Sequence, residues 1–207
     1  MLEAYLAAFF ITAGIIIGLG PQNIFIIKQG IRGQHVLLTV VICELCEVFT
    51  ISLGALGAGY VFSQNILLQK IIGVAGVLFL LFYGYKAFRS VYQSHSDVEL
   101  QLQRQKIPLK EVIIASLSIS LLNPWALMDT MVIIGGGAAQ YETVQLMVVF
   151  LLGSLTASTI WFSAIGFGSK KLQHILNTPK ANKMLDLSAG IIMWLAAFYL
   201  TKTMVLG

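Results

Sequence analysis

Asn123-Pro124-Trp125-Ala126-Leu127-Met128-Asp129-Thr130 places a proline and a carboxylate inside an otherwise long apolar run. Proline lacks a backbone donor and clashes with the preceding turn, so a helix through this stretch must bend or break. In lipid, the carbonyls freed by a break need protein groups or a wet cavity to satisfy them. A second stretch of this kind, Gly18-Leu19-Gly20-Pro21-Gln22-Asn23, interrupts the first apolar run. Broken helices at corresponding positions of two halves point to the binding site of a membrane transporter.

Composition sets the same class. Of 207 residues, 57% are hydrophobic and only 11% are charged, and the mean hydropathy is +0.85. A soluble domain carries about 25% charged residues, so this is a membrane protein. At about 20 apolar residues per span, helices are expected near 2–27, 36–62, 70–92, 110–134, 144–168 and 184–206. The chain then reads as one transmembrane domain of residues 1–207. Residues 1–92 form the first three helices, 93–109 a polar linker, and 110–207 the last three. Tandem three-helix halves have opposite topologies, which is an inverted repeat with helices one and four broken near Pro21 and Pro124. Thr178 followed by Pro179 is a helix-start signal before the sixth run.

Charge placement gives an orientation. Lys28, Arg32, Lys86, Arg89, Arg104, Lys106, Lys110, Lys170, Lys171, Lys180 and Lys183 all flank connections one, three and five. That is 11 of the 13 lysines and arginines, leaving Lys70 and Lys202 on the other side. The positive-inside rule puts those three connections in the cytoplasm and both termini outside. The N-terminus lacks the positive region of a cleaved signal peptide and reads as the start of the first helix. Gly14 and Gly18, Gly54 and Gly57, Gly73 and Gly76, and Gly153 with Ala157 stand at helix-packing spacing, for contacts within the protomer or in a homodimer.

Ionisable groups within the runs are candidate functional groups, because a charge costs roughly 2.5–3.5 kcal/mol at the bilayer centre. They are Glu44 and Glu47 in helix two and Asp129 in helix four. Glu44 and Glu47 stand three apart and so are expected to share a helix face, about 12 Å and about 17 Å from the helix start. Two carboxylates this close in a low dielectric repel each other, which makes them candidate proton carriers. One of them capping a helix break is the plainer reading. Gln22, Asn23 and Asn123 offer amide groups beside the prolines, either for a substrate or for the freed carbonyls. A half-helix N-terminus favours a carboxylate and nearby acids favour an ammonium or guanidinium. Both together fit an amino acid with an additional positive charge. Trp125, next to Pro124, is placed to meet a cation through its ring face.

Two other chemistries fit less well. Cys43-Glu44-Leu45-Cys46-Glu47 has thiolates and carboxylates at helical spacing that would suit a soft divalent metal. No histidine accompanies them, since His35, His95 and His174 all fall in connections. A thiol–disulfide electron carrier needs cysteines that can meet, whereas these two lie in the middle of one helix. Buried cysteine also serves simply as a small apolar residue. No enzyme chemistry, cofactor, bound metal or nucleic-acid partner is expected.

A family resemblance is carried by Gly20-Pro21-Gln22-Asn23, then Ile26-Ile27-Lys28-Gln29-Gly30-Ile31, then Asn123-Pro124 with Asp129. It continues through Gly135-Gly136 to Gln140-Tyr141, Ile160-Trp161-Phe162 and Gly166-Phe167-Gly168. In these blocks and this order the chain resembles the LysE-type lysine and arginine exporter family over nearly its whole length. The resemblance implies a multi-pass bacterial inner-membrane exporter of L-lysine and/or L-arginine, driven by the proton motive force. By the resemblance Gln22 and Asn23 match the first motif, Asn123, Pro124 and Asp129 the second, and Glu47 stands where relatives carry an acid. With Trp125 added from its own position, Gln22, Asn23, Asn123, Trp125, Asp129 and Glu47 are the substrate-binding candidates. Glu47 and Asp129, with Glu44 next, are the proton-coupling candidates. Gly20, Pro21 and Pro124 make the helix breaks. The partners are then a basic amino acid, protons and the bilayer, and the mechanism is antiport by alternating access. Two departures bear on specificity: Leu127 stands where relatives carry tyrosine, and Glu44 is an additional acid. Export of a neutral amino acid or a divalent metal cation is the alternative, with the electron carrier behind it.

Overall fold

The computed structural model describes residues 1–18, 20–58, 64–93, 107–121, 123, 127–176 and 178–202. Every regular element among them is helical. They are α1 (Leu2–Ile16), α2 (Pro21–Arg32), α3 (Val36–Leu53), α4 (Ile66–Gln93), α5 (Leu109–Leu121), α6 (Gly135–Ala139), α7 (Val144–Lys171), α8 (Gln173–Leu176) and α9 (Pro179–Leu200). π-helical turns extend α3 over Gly54–Ala58 and lead into α6 over Met128–Ile134. Four helices among the described residues are long and apolar enough to cross a membrane, and five if α1 and α2 form one bent span.

Proline decides where several elements begin. Gly20 is the N-cap of α2 and Pro21 occupies its first turn, where the missing donor costs no intrahelical bond. α1 ends at Ile16, and the axes of α1 and α2 diverge by 77°. The first apolar run is therefore two helices, as its glycines and proline imply. α2 runs past the expected limit at 27 to Arg32 and stops at Gly33, whose φ of 67° lies in the left-handed region that glycine adopts without cost. At the other end of the chain, Thr178 accepts a hydrogen bond from the Ala181 amide at 3.2 Å and Pro179 opens α9. The sixth helix accordingly starts five residues before the expected 184, because the cap and not hydropathy sets its start. α4 likewise spans Ile66–Gln93 instead of 70–92, with the apolar Ile66, Leu67 and Leu68 continuing the helix ahead of Gln69 and Lys70. The fourth run differs most. α5 has 13 residues and ends at Leu121, giving about 20 Å of helix, too short to span. The residue before a proline is driven away from helical geometry, and Asn123 is not helical. The helical pattern resumes with the Leu127 amide bonded to the Asn123 carbonyl at 3.0 Å.

The helices pack in pairs: α1 on α7, α4 on α9, and α5 on α3, with α2 held between α7 and α3. At the α1–α7 contact the buried residues of α1 are small or polar, while Ile26, Ile51 and Leu80 fill the interior elsewhere. Ala4, Ala8 and Thr12 of α1 meet Gly153, Ser154 and Ala157 of α7, and Thr12 hydrogen-bonds Ser154 at 2.7 Å. Outside, Phe10, Leu37, Leu45, Phe49, Phe82, Leu195 and Phe198 are exposed. Lipid is as apolar as leucine, so large apolar side chains gain nothing by turning inward, and close backbone packing drives association instead. Of the glycines at packing spacing, Gly54 and Gly153 are used in this way. Gly54 sits against the backbone of Met131 and Gly135, and Gly153 against the backbone of Tyr5. Gly14 touches no other element.

The first, third and fifth connections share one face. His35 and Gln34 bond to Ile107 at the start of α5, at 3.2 and 2.9 Å, and Gln173 of α8 lies beside Gly33. This brings the basic ends of the helices to the same side of the molecule. Residues 94–106 of the expected linker lie outside the described residues.

The packing makes a paired prediction. Gly153→Ala should lower the thermal stability of the purified protein by about 1–3 kcal/mol, because the new methyl overlaps the Tyr5 carbonyl. Gly14→Ala should raise it by up to about 1 kcal/mol through helix propensity alone. Thermal unfolding in detergent measures both, and equal effects would contradict the packing described.

Candidate functional site

The break between α1 and α2 opens a cavity of about 220 Å3. Its walls are Thr12, Ile15 and Ile16 of α1, Gly18 and Gly20 at the break, and Gln22 and Asn23 in the first turn of α2. Glu47 of α3, Asn123, Thr130 and Ile134 of the second broken segment, Phe162 of α7, and Ile192 and Ala196 of α9 complete it. A dry cavity of about 150 Å3 accepts benzene, so a small organic solute fits in this one. Behind it lies a void of about 10 Å3 bounded by Gln22, Cys46, Glu47, Thr50, Ser120 and Thr130, room for about one water.

Four of the residues singled out in the sequence meet here: Gln22, Asn23, Glu47 and Asn123, with Gly20 at the rim. Their chemistry differs. Asn23 is 4% exposed and its amide donates to the carbonyls of Ile16 and Gly18, at 2.7 and 2.6 Å. Trp161 of α7 donates its indole N–H to Asn23 Oδ1 at 3.3 Å. Asn23 therefore closes the broken end of α1, which is the carbonyl-satisfying reading of these amides. Asn123 and Glu47 are 2% and 6% exposed, yet Asn123 Oδ1 and Glu47 Oε2 have no hydrogen-bond partner. Buried polar atoms are nearly always paired, so two orphans on one cavity wall mark groups available to a ligand.

Glu44 goes elsewhere. Its Oε1 accepts from Ser158 at 2.9 Å and from Thr159 at 2.8 Å, both on α7, and it does not line the cavity. Three residues along a helix is a rotation of about 60° short of a full turn, enough to send Glu44 to the α7 seam and Glu47 to the cavity. Ser158 also lies close to Glu47, so the acids remain electrostatic neighbours. Pro124 and Trp125 lie outside the described residues, as does the side chain of Asp129, whose backbone belongs to the π-helical segment beside Thr130. Pro21 is buried at the start of α2. Cys43 packs with Ile26, Val40 and Phe162 as a small apolar residue, and both cysteines are free thiols.

One acid escaped the sequence reading. Asp186 of α9 is 5% exposed, forms an ion pair with Lys28 of α2, and accepts from Ser90 of α4 at 2.7 Å. The partners are 158 and 96 residues away, so no local spacing could reveal them. The one available signal was a carboxylate two turns inside a proline-started apolar helix.

The site combines opposite polarities. The N-terminus of α2, with unpaired amides and the positive end of the helix dipole, borders the cavity that also holds the Glu47 carboxylate. Electrostatically, an anionic group is favoured beside α2 and a cationic group beside Glu47.

An all-helical membrane protein with a mostly apolar cavity, carrying a few polar groups, at a broken helix has the build of a solute translocator. The chain belongs to the LysE type translocator family, whose model matches residues 13–203. It is similar to the arginine exporter protein ArgO of Salmonella typhimurium (strain LT2), 32% identical over 204 residues covering 98% of this chain and 95% of that protein. The arginine exporter protein ArgO of Serratia proteamaculans (strain 568) is also 32% identical, over 198 residues and 94% of each. No solved structure matches the chain.

The two asparagines make a test. Asn23→Ala strands the Ile16 carbonyl, at about 1–3 kcal/mol, and removes one of two donors to the Gly18 carbonyl, which keeps the Gly20 amide at 2.8 Å, so it should lower thermal stability. Asn123→Ala removes an acceptor that is already unsatisfied and should leave stability far less changed. The opposite ranking in thermal unfolding would refute these assignments.

Proposed function

We propose that the protein exports basic amino acids, L-arginine and/or L-lysine, from the bacterial cytoplasm by proton antiport. The observation that carries this reading is the buried Glu47 carboxylate, with an unpaired oxygen, in the same cavity as the N-terminus of α2. A cationic amino acid offers a carboxylate to one and an ammonium or guanidinium to the other. The relatives named as arginine exporters support arginine as the first substrate to test.

Glu47 serves both cargoes. It binds the substrate's cation when ionised and a proton when empty of substrate, so the two compete for one oxygen. Moving a monovalent cation out of a cell costs about 2.3 kcal/mol per 100 mV of interior-negative potential. One proton entering cancels that electrical work and leaves the pH gradient as the driver. Asp129 is the second candidate carrier, adjacent in sequence to Thr130 on the cavity wall. Glu44 acts at most through Ser158, between the cavity and the α7 seam.

Alternating access follows from an inverted repeat of two three-helix halves. Count α1 with α2 as helix one, α3 as two, α4 as three, α5 with α6 as four, α7 as five and α9 as six. Exchanging helix one with four, two with five and three with six turns the one–five contact into a four–two contact. The three–six contact maps onto itself. The pairs α1 with α7, α5 with α3, and α4 with α9 have this pattern, which supports the repeat. The basic connections on one face support the orientation with both termini outside.

Inverted vesicles loaded with the protein should accumulate labelled arginine or lysine, and an uncoupler should abolish the accumulation. Glu47→Gln should lose uncoupler-sensitive accumulation by tenfold or more, about 1.4 kcal/mol, and arginine-for-arginine exchange with it, because one oxygen serves both cargoes. Uncoupler-sensitive accumulation that survives in both Glu47→Gln and Asp129→Asn would sink the carrier assignment. Accumulation of a neutral amino acid instead would sink the substrate.

A further inference from the structure

α2 and α9 form two walls of the cavity, and beyond it they are tied by Lys28 and Asp186. On α2, Gln22 faces the cavity and Lys28 lies about 9 Å further along the axis. On α9, Ile192 faces the cavity and Asp186 lies about 9 Å away in the same direction. Otherwise α2 leans on α7, where Gly30 abuts the Gly166 carbonyl, and its apolar contact with the α4–α9 pair is through Ile24. The polar cluster of Lys28, Asp186 and Ser90 therefore stands on a thin seam, at the end of the cavity nearest the basic face.

The cluster has room for a ligand. A separate cavity of about 60 Å3 is lined by Lys28, Ile31, Arg32, Ser90, Asn182 and Asp186, enough for several waters or one charged group. The Asp186 carboxylate is nearly buried, whereas the Lys28 side chain is one-third exposed, 33% against 7%. The acid is fixed by Ser90, and the lysine is a long flexible cation with access to solvent. Arg32 is also close enough to Asp186 to be felt electrostatically. The carboxylate would not stand without a cationic neighbour if Lys28 withdrew.

We propose that Asp186, oriented by Ser90, is a second cation-binding station on the transport route. The guanidinium or ammonium of the substrate takes it in exchange for Lys28 before reaching the Glu47 cavity. The exchange swaps one ion pair for another, so the buried carboxylate is not left alone and the barrier stays low. It also releases the tie between α2 and α9. This rests on the basic-amino-acid reading above, and it makes charge, sensed at Asp186, a condition for passing the seam.

A plain structural tie and a cation station differ in sign. Lys28→Met and Asp186→Asn both break the ion pair, so a tie predicts that both disturb ligand binding alike. A station predicts opposite effects. Removing Lys28 removes the competitor and should tighten arginine binding, by about fivefold or more, while Asp186→Asn should weaken it by a similar factor. Citrulline, a near-isostere of arginine whose side chain is uncharged, should bind all three proteins equally. The measurement is calorimetric titration of the purified full chain at low ionic strength with arginine and with citrulline. Weaker arginine binding in both variants, or parallel shifts for citrulline, overturns the station and leaves the exporter reading intact. Wild-type protein that binds no basic amino acid overturns the exporter reading and the station with it. If Asp186→Asn does not fold, the sign of the change in Lys28→Met decides alone.

Discussion

A carbonyl in a bilayer must be hydrogen-bonded, and the break in the first helix frees several at once. The amide of Asn23, on the far side of the break, satisfies two of them, at Ile16 and Gly18. That single side chain lets α1 stop in the membrane and α2 leave at 77° without stranding backbone in lipid. Trp161 of α7 then holds the amide's oxygen and fixes which way it points. The cavity exists because this corner is stable: a straight helix would fill the space where Gly18, Gly20 and Gln22 now form a wall.

The same wall shows a division of labour. Asn23 is fully committed to the backbone, whereas Asn123 and Glu47 are buried with unused oxygens. A buried orphan acceptor costs about 1–3 kcal/mol, and a stable fold tolerates that where a ligand later makes the bond. Bonded and unbonded polar groups thus stand side by side around one cavity, and amino-acid type alone does not sort them.

What the sequence disclosed follows from how local each cause is. The Pro21 break, the Thr178 cap and the small residues of the α1–α7 contact are local, since proline, cap and glycine act on their own few residues. The convergence of Gln22, Asn23, Glu47 and Asn123 was legible because an acid or amide beside a break has few other uses in lipid. The direction of Glu44 was not, since a rotation of about 60° between Glu44 and Glu47 decides it and hydropathy carries no phase on an all-apolar helix. Lys28 and Asp186 were hidden for another reason. Lys28 counted as a topology signal and Asp186 stood near a helix end, so each had a sufficient local explanation, and only the fold shows that they meet.

That meeting bears on how the basic face is built. Positive residues gather at the ends of α2, α7 and α9, where a surface cation contributes little to stability. Lys28 differs by pointing inward to a buried carboxylate, and it lies one turn from Arg32, which ends the same helix. A cationic solute approaching this face is repelled by its net charge, which disfavours adsorption at the surface. The buried acid is the nearest place where that repulsion reverses, because its charge acts across a lower dielectric than the cations in solvent. On the cation-station proposal, repulsion outside and attraction within favour the passage of a cation through the seam over its retention at the surface.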